Sequence, residues 1–306
     1  MKKTIGVIAH VDAGKTTFSE QLLFHTKSIK SLGRVDHQDA YLDNHELEKA
    51  RGITIFAEQG MFQYGEDTYT LIDTPGHVDF SPEMERAIRA MDYAILIISA
   101  VEGIQGHTET VWQLLRQYHV PTFIFINKID REGADVSAVM QALQKEFSPN
   151  ILLVNNLADA AEFVAERNER LLDKFMEEAL TDEEIIRALQ HHIKQEEAFV
   201  AMQGAALKSM GVMEFFNILH QLTTTTYEES APFEADVVKI RHDGEQRLTF
   251  LKAKSGTLHV RDELSFHEVN EKITEIRLYN GNNFEKVTTV TAGDVFAVKG
   301  LTIPEA

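Results

Sequence analysis

Over the first two thirds of the chain, hydrophobic positions follow two alternating patterns. Short continuous apolar runs occupy residues 5–9, 93–98 and 123–126. Each is followed by a set at helical spacing: a segment from Gly14 to about Thr26, then Val111, Leu114, Leu115 and Tyr118, then Val136, Val139, Met140, Leu143 and Phe147. The runs are short and rich in β-branched residues, as parallel strands buried on both faces are, and the spaced sets recur at i, i+3, i+4 and i+7. This βαβ order predicts an α/β domain with a doubly wound, mostly parallel sheet over residues 1 to about 228. Ser81-Pro82 ahead of Met84, Ile88 and Met91 reads as an N-cap with proline in the first helical position, which puts residues 73–80 on a strand-to-helix loop.

From 150 to 200 the chain carries 12 acidic and five basic side chains, with helical spacing in Leu171, Leu172 and Phe175 and in Ile185, Ile186 and Leu189. An acidic helical insertion is expected, its charge serving as a solvated face. Beyond Ser230-Ala231-Pro232 the pattern turns to short alternating segments at 236–241, 248–253, 263–266, 272–278 and 295–298. Gly244, Gly256, Gly281 and Gly293 punctuate them, which predicts a small all-β barrel domain over 229–306. The sequence stops soon after the last expected strand, so a truncated chain is expected.

Composition narrows the function. The 306 residues suit two domains, and 43% hydrophobic with 25% charged residues is ordinary for a globular protein. With 30 basic against 48 acidic side chains the formal charge is −18, which argues against non-specific coating of nucleic acid and against a DNA partner. Any RNA must be met locally. The absence of cysteine removes disulfides and thiolate metal sites and fits a reducing, cytoplasmic setting. The apolar stretch 5–9 is too short for a signal or a membrane span, so no membrane partner is expected, and a monomer is.

Three motifs carry chemistry. Ala9-His10-Val11-Asp12-Ala13-Gly14-Lys15-Thr16 matches a phosphate-binding loop with alanine at the first glycine position, set between a strand and a helix. Successive N–H groups there can cradle phosphate oxygens, Lys15 can reach the β- and γ-phosphates and the Thr16 hydroxyl can ligate Mg²⁺. Asp73-Thr74-Pro75-Gly76-His77 follows a strand, so Asp73 can hold Mg²⁺ through water while the Gly76 N–H approaches a γ-phosphate. Asn127-Lys128-Ile129-Asp130 ends an apolar run at the carboxyl edge of the sheet, where α/β folds bind ligands. A carboxylate at Asp130 accepts from guanine N1–H and N2–H₂, a donor pair that adenine lacks. Alone, each motif reads as a polar turn; in this order they point to GTP/GDP. Arg51-Gly52-Ile53-Thr54-Ile55 adds Thr54, a metal ligand only when a γ-phosphate closes its loop.

Together these segments resemble the translational GTPases. Asp73-Thr-Pro-Gly-His-Val-Asp-Phe80, Ala100-Val-Glu-Gly-Ile-Gln105, Glu109-Thr-Val-Trp112 and Asn127-Lys-Ile-Asp-Arg-Glu-Gly133 are similar to elongation factor G and its relatives. Within that group the chain is similar to the tetracycline-resistance ribosomal protection proteins, through Phe250-Leu-Lys-Ala-Lys-Ser-Gly-Thr-Leu-His-Val-Arg-Asp262 as well. The resemblance implies a ribosome-dependent GTPase. Catalysis would fall to His77, which orients water once the sarcin-ricin loop of ribosomal RNA draws it inward, with Lys15 and Thr54. Val11 and Ile53 would form the apolar gate before it. Nucleotide would be held by His10, Val11, Asp12, Ala13, Gly14, Lys15, Thr16, Thr17, Gly76, Asn127, Lys128, Asp130, Ala205, Ala206 and Leu207, and Mg²⁺ by Thr16, Thr54 and Asp73. The small ribosomal subunit would lie near the second domain.

Two departures stand out. Ala9 replaces a glycine that the family commonly exchanges. Ala205 stands where the family usually has serine, so the hydroxyl that steadies the base loop is missing. The three further domains of family members have no counterpart in the sequence. Rival readings are a translocation factor of the elongation factor G type, a GTP-dependent module that does not hydrolyse, which His77 argues against, and an ATPase, which Asp130 disfavours.

Overall fold

Strands covered on both faces are mostly apolar. β1 (Lys2–Ala9), β4 (Tyr93–Ser99) and β5 (Thr122–Asn127) are buried along almost their whole length around the apolar runs 5–9, 93–98 and 123–126, with polar residues confined to their ends. A computed structural model of the chain describes residues 1–29, 58–74, 82–243, 246–266 and 269–302. The other strands of this sheet are β2 (Glu58–Tyr64), β3 (Asp67–Asp73), β6 (Ile151–Leu153) and β7 (Phe199–Gln203), in the order β2-β3-β1-β4-β5-β7-β6. β4, β5, β7 and β6 pair in parallel, and β2 lies antiparallel to β3.

The expected helices follow their strands. They are α1 (Lys15–His25), α2 (Pro82–Arg89), α3 (Gly106–Gln117) and α4 (Val136–Glu146); a further helix that the spacing did not predict, α8 (Val212–Leu222), follows β7. Pro82 opens α2 as its fixed φ favours; Ser81, its expected cap, lies outside the described residues. Asp135 caps α4 by accepting from the Ala138 N–H at 2.9 Å. The acidic stretch forms α5 (Ala161–Ala165), α6 (Glu169–Glu177) and α7 (Asp182–Lys194), but its two ends are β6 and the start of β7. α6 buries no residue, and Met176 on it is 78% exposed. Among the described residues no helix is long and apolar enough to cross a membrane.

The remaining strands are β8 (Glu234–Asp243), β9 (Gln246–Ser255), β10 (Thr257–His259), β11 (Glu263–Phe266), β12 (Val269–Lys272), β13 (Glu275–Asn280), β14 (Asn283–Val287), β15 (Thr289–Thr291) and β16 (Val295–Lys299). They build a five-stranded antiparallel sheet, β14-β13-β16-β9-β8, and two two-stranded ladders, β10-β15 and β11-β12. Leu251, Leu258, Ile276, Val290, Phe296 and Val298 share one apolar core beneath them. One expected strand is corrected: 272–278 is not continuous. Lys272 pairs with Glu263 while Glu275 pairs with Lys299, and between them Ile273 turns its N–H to the Asp262 carbonyl at 2.9 Å. The chain therefore changes ladder at this point, which alternation of side chains cannot reveal. Gly244, read as a turn, lies outside the described residues.

Two compact units partition the chain, one of residues 1–6, 26–92 and 225–306 and the other of 7–25 and 93–224. In the first, Lys252 is 1% exposed and places its ammonium on Thr4 Oγ1 at 2.6 Å, the Gly293 carbonyl at 3.0 Å and Asp92 Oδ2 at 3.3 Å. Tyr227 donates its hydroxyl to the other oxygen of Asp92. Burial lowers the Lys252 pKa, and Asp92 opposes that fall. In the second unit, Phe18 of α1 meets Phe125 of β5 and Phe215 of α8 with ring centroids 5.0 and 5.9 Å apart. These contacts seat α1 against the strand that ends in Asn127.

Candidate nucleotide site

The loop after β1 is shaped for close approach by a ligand. Its turn closes with the Ala13 N–H on the His10 carbonyl at 3.1 Å, and Asp12 and Gly14 take φ of 64° and 98°. α1 starts at once, its first turn marked by the Phe18 N–H on the Gly14 carbonyl at 3.0 Å. N–H groups and a helix N-terminus thus converge where phosphate would lie. Lys15 is buried, Thr16 and Thr17 are half-buried, and Val11 is half-buried beside exposed Asp12. His10 Nδ1 is buried with no hydrogen-bond partner among the described residues, and the His10 ring lies 6.3 Å from that of His107, centroid to centroid.

Gly14 is dictated by more than its φ. A Cβ there would sit 2.3 Å from Asn127 Nδ2. Asn127 ends β5 and is 3% exposed. Its Nδ2 donates to the Ala13 carbonyl at 2.8 Å, and its Oδ1 accepts the Ala206 N–H at 2.9 Å. One buried amide therefore joins the phosphate loop to the loop after β7, and it keeps a second N–H for a ligand. Lys128 follows with φ of 64°, and the Ile129 N–H reaches the Gly204 carbonyl at 3.3 Å.

Asp130 stands next to this junction. Lys208 Nζ lies 3.0 Å from Asp130 Oδ2, and that hydrogen bond holds the carboxyl below its ordinary range. An ionised acceptor is what a guanine N1–H and N2–H₂ edge requires. The loop carrying Lys208 turns tightly: the Ala205 N–H donates to the Met210 carbonyl at 3.0 Å and the Met210 N–H returns to Ala205 at 3.1 Å. Gly204 allows that turn, since a Cβ would meet the Met210 carbonyl oxygen at 2.3 Å. Ala205 and Ala206 are buried and Leu207 is exposed.

The structure thus brings His10, Val11, Asp12, Ala13, Gly14, Lys15, Thr16 and Thr17 together with Asn127, Lys128, Asp130, Ala205, Ala206 and Leu207 within the second unit. Asp73 ends β3, opposite Glu58 and fully buried, in the first unit. Thr54, Gly76 and His77, and Ile53 of the expected gate, lie outside the described residues. Among the described residues no three His, Cys, Asp or Glu side chains gather into a metal cage. The reading of the motifs did not reach Ser209 or Gln21, whose side chains meet behind the base loop. Their separation of 188 residues leaves no local signal.

Comparison with known proteins identifies the family and the fold. Residues 2–225 match the model of the elongation factor Tu GTP binding domain, and 232–306 that of elongation factor G domain 2. The chain is 34% identical to the tetracycline resistance protein TetM from transposon Tn1545 of Enterococcus faecalis, over 95% of this chain and 48% of that protein. It is 33% identical to the tetracycline resistance protein TetP of Clostridium perfringens, over 99% of this chain and 50% of that protein. A crystal structure of a Thermus thermophilus protein shares the fold, with a TM-score of 0.87 at 21% identity over 98% of this chain and 52% of the other. The chain spans about half the length of the curated relatives it matches. With an α/β part and a β-rich second part that both match, the chain belongs to the elongation factor Tu GTP binding domain family and carries a second part of the elongation factor G domain 2 type.

Proposed function

We propose that this chain binds and hydrolyses GTP as the nucleotide-handling part of a ribosome-dependent GTPase, whose task is ribosomal protection against tetracycline. The observation that carries the nucleotide reading is the Asn127 amide, which braces Ala13 and Ala206 from one side chain and leaves Asp130 beside it as an ionised acceptor. The names of the relatives support the drug function. On this reading residues 1–228 form the nucleotide domain and 229–306 the second domain. The protein acts in the cytoplasm, with the sarcin-ricin loop near the first and the small subunit near the second. The match of 232–306 to elongation factor G domain 2 favours, as second reading, a translocation factor without drug function.

Phosphoryl transfer asks a protein mainly for positioning and charge neutralisation. Lys15 places its ammonium against the β- and γ-phosphates, and the N–H groups of residues 13–16 take their oxygens. Thr16, Thr54 and Asp73 would hold Mg²⁺, which when bound neutralises charge building on the phosphate oxygens. The Gly76 N–H receives the γ-phosphate, and His77 orients water for in-line attack.

Binding of a fluorescent GDP analogue tests the first step. GDP should displace it and ADP should not, and Asp130→Asn, which turns one acceptor into a donor, should shift preference to xanthosine diphosphate. ADP competing as well as GDP would overturn the guanine assignment. His77→Ala should abolish ribosome-stimulated hydrolysis and spare binding. Rescue of a tetracycline-inhibited translation reaction that requires GTP supports the drug function; stimulated hydrolysis without rescue favours the translocation reading.

A further inference from the structure

We infer that the Ser209 hydroxyl is the clasp that positions the guanine-binding loop, an inference that rests on the nucleotide reading above. Ser209 follows the short 3-10 turn Ala206–Lys208 with φ 56° and ψ 19°, a left-handed conformation that favours glycine. Its hydroxyl donates to Gln21 Oε1 at 2.5 Å, and His25 Nε2 lies 3.4 Å from the same hydroxyl oxygen. Gln21 is buried on α1, the helix whose first turn forms the phosphate cradle.

Two groups on the clasped loop reach the base site. The Ala206 N–H holds Asn127 Oδ1 at 2.9 Å, and Lys208 holds Asp130 at 3.0 Å. Ala205, at the start of the loop, has no polar side chain to contribute. The Ser209–Gln21 bond therefore sets where Ala206 and Lys208 stand, and through them the amide and carboxylate that meet guanine. Ser209 touches neither and acts as a positioning residue. A serine in a left-handed conformation is an unfavourable choice for the backbone alone, and its hydroxyl gives the reason for it.

Ser209→Gly separates the two roles, because it relieves the backbone while deleting the hydroxyl. The variant should melt at or above the wild-type temperature without nucleotide. Its GDP affinity should fall about tenfold, the net worth of one hydrogen bond. Affinity for inorganic pyrophosphate should not change, since the phosphate loop is untouched. Ser209→Asn, which tolerates the left-handed region and restores a donor, should recover most of the GDP affinity. Gln21→Leu should weaken GDP to a similar degree, and combining it with Ser209→Gly should add little further loss. Wild-type GDP affinity in Ser209→Gly, or an equal loss of pyrophosphate affinity, would overturn the clasp. A wild-type protein that binds no GDP would instead overturn the nucleotide reading and the clasp with it.

Discussion

Replacing Asn127 with alanine tests whether one side chain holds both the fold and the site. The substitution removes two hydrogen bonds, from Nδ2 to the Ala13 carbonyl at 2.8 Å and from the Ala206 N–H to Oδ1 at 2.9 Å. Ala13 and Ala206 are both buried, so the carbonyl and the N–H left behind lose their partners away from bulk water. Each such orphan costs about 1–3 kcal/mol, giving roughly 2–6 kcal/mol, and a water entering the space of the lost amide pulls the figure to the lower half of that range. The unliganded variant should therefore melt about 4–16 °C below wild type, at the roughly 2–4 °C per kcal/mol usual for a domain of this size. Ligand linkage then adds a second signature. GDP at 100 times its Kd raises wild-type stability by about 2.7 kcal/mol, and a hundredfold weaker variant at the same concentration would gain only about 0.4 kcal/mol. Calorimetric scans of both proteins with and without GDP measure both quantities. Asn127→Asp should keep the Ala206 bond but set a carboxylate oxygen against the Ala13 carbonyl, losing GDP affinity as fully as alanine does. An alanine variant whose unliganded melting temperature lies within a degree of wild type would refute the bracing argument.

Three further outcomes follow from particular contacts. Gly14→Ala places a Cβ 2.3 Å from Asn127 Nδ2 at a φ of 98°, and should weaken GDP at least tenfold, or about 1.4 kcal/mol, by equilibrium titration; unchanged affinity would refute the steric account. Lys252→Met removes the cation beside Asp92 and should cost about 3 kcal/mol in urea unfolding, with Asp92→Asn in the same chain recovering part of it; a double variant no more stable than the single one refutes the charge argument. Burial raises the Glu275 carboxyl, but hydrogen bonds from Lys286, Arg277 and Lys299 outweigh it and hold the pKa at about 2, below the ordinary 4.5. A depressed carboxylate contributes stability in full above pH 4.5 and loses it as pH falls toward 2, so acid melts of Glu275→Gln should be flatter than wild type across that window, and parallel curves would refute it.

What the sequence made legible was local. Continuous apolar runs announce β1, β4 and β5 because the middle of a strand buried on both faces is mostly apolar, and helical spacing announces α1, α3 and α4. The positions of Ala9-Thr16 and of Asn127-Lys128-Ile129-Asp130 at strand ends were legible because each follows a continuous apolar run. Where pairing decides structure, the reading lost its signal: the break between Lys272 and Glu275 depends on which strands lie alongside, and β10, β14 and β15 are short pieces set by their partners. Burial of Lys252 and the clasp of Ser209 on Gln21 were equally invisible. A lysine or a serine looks the same in sequence whether it faces water or a partner far along the chain. Sequence by itself determined the fold class and the family, since periodicity and motif are properties of neighbours. Only the tertiary structure decided what holds the binding groups in place, because that depends on contacts between segments the chain keeps far apart.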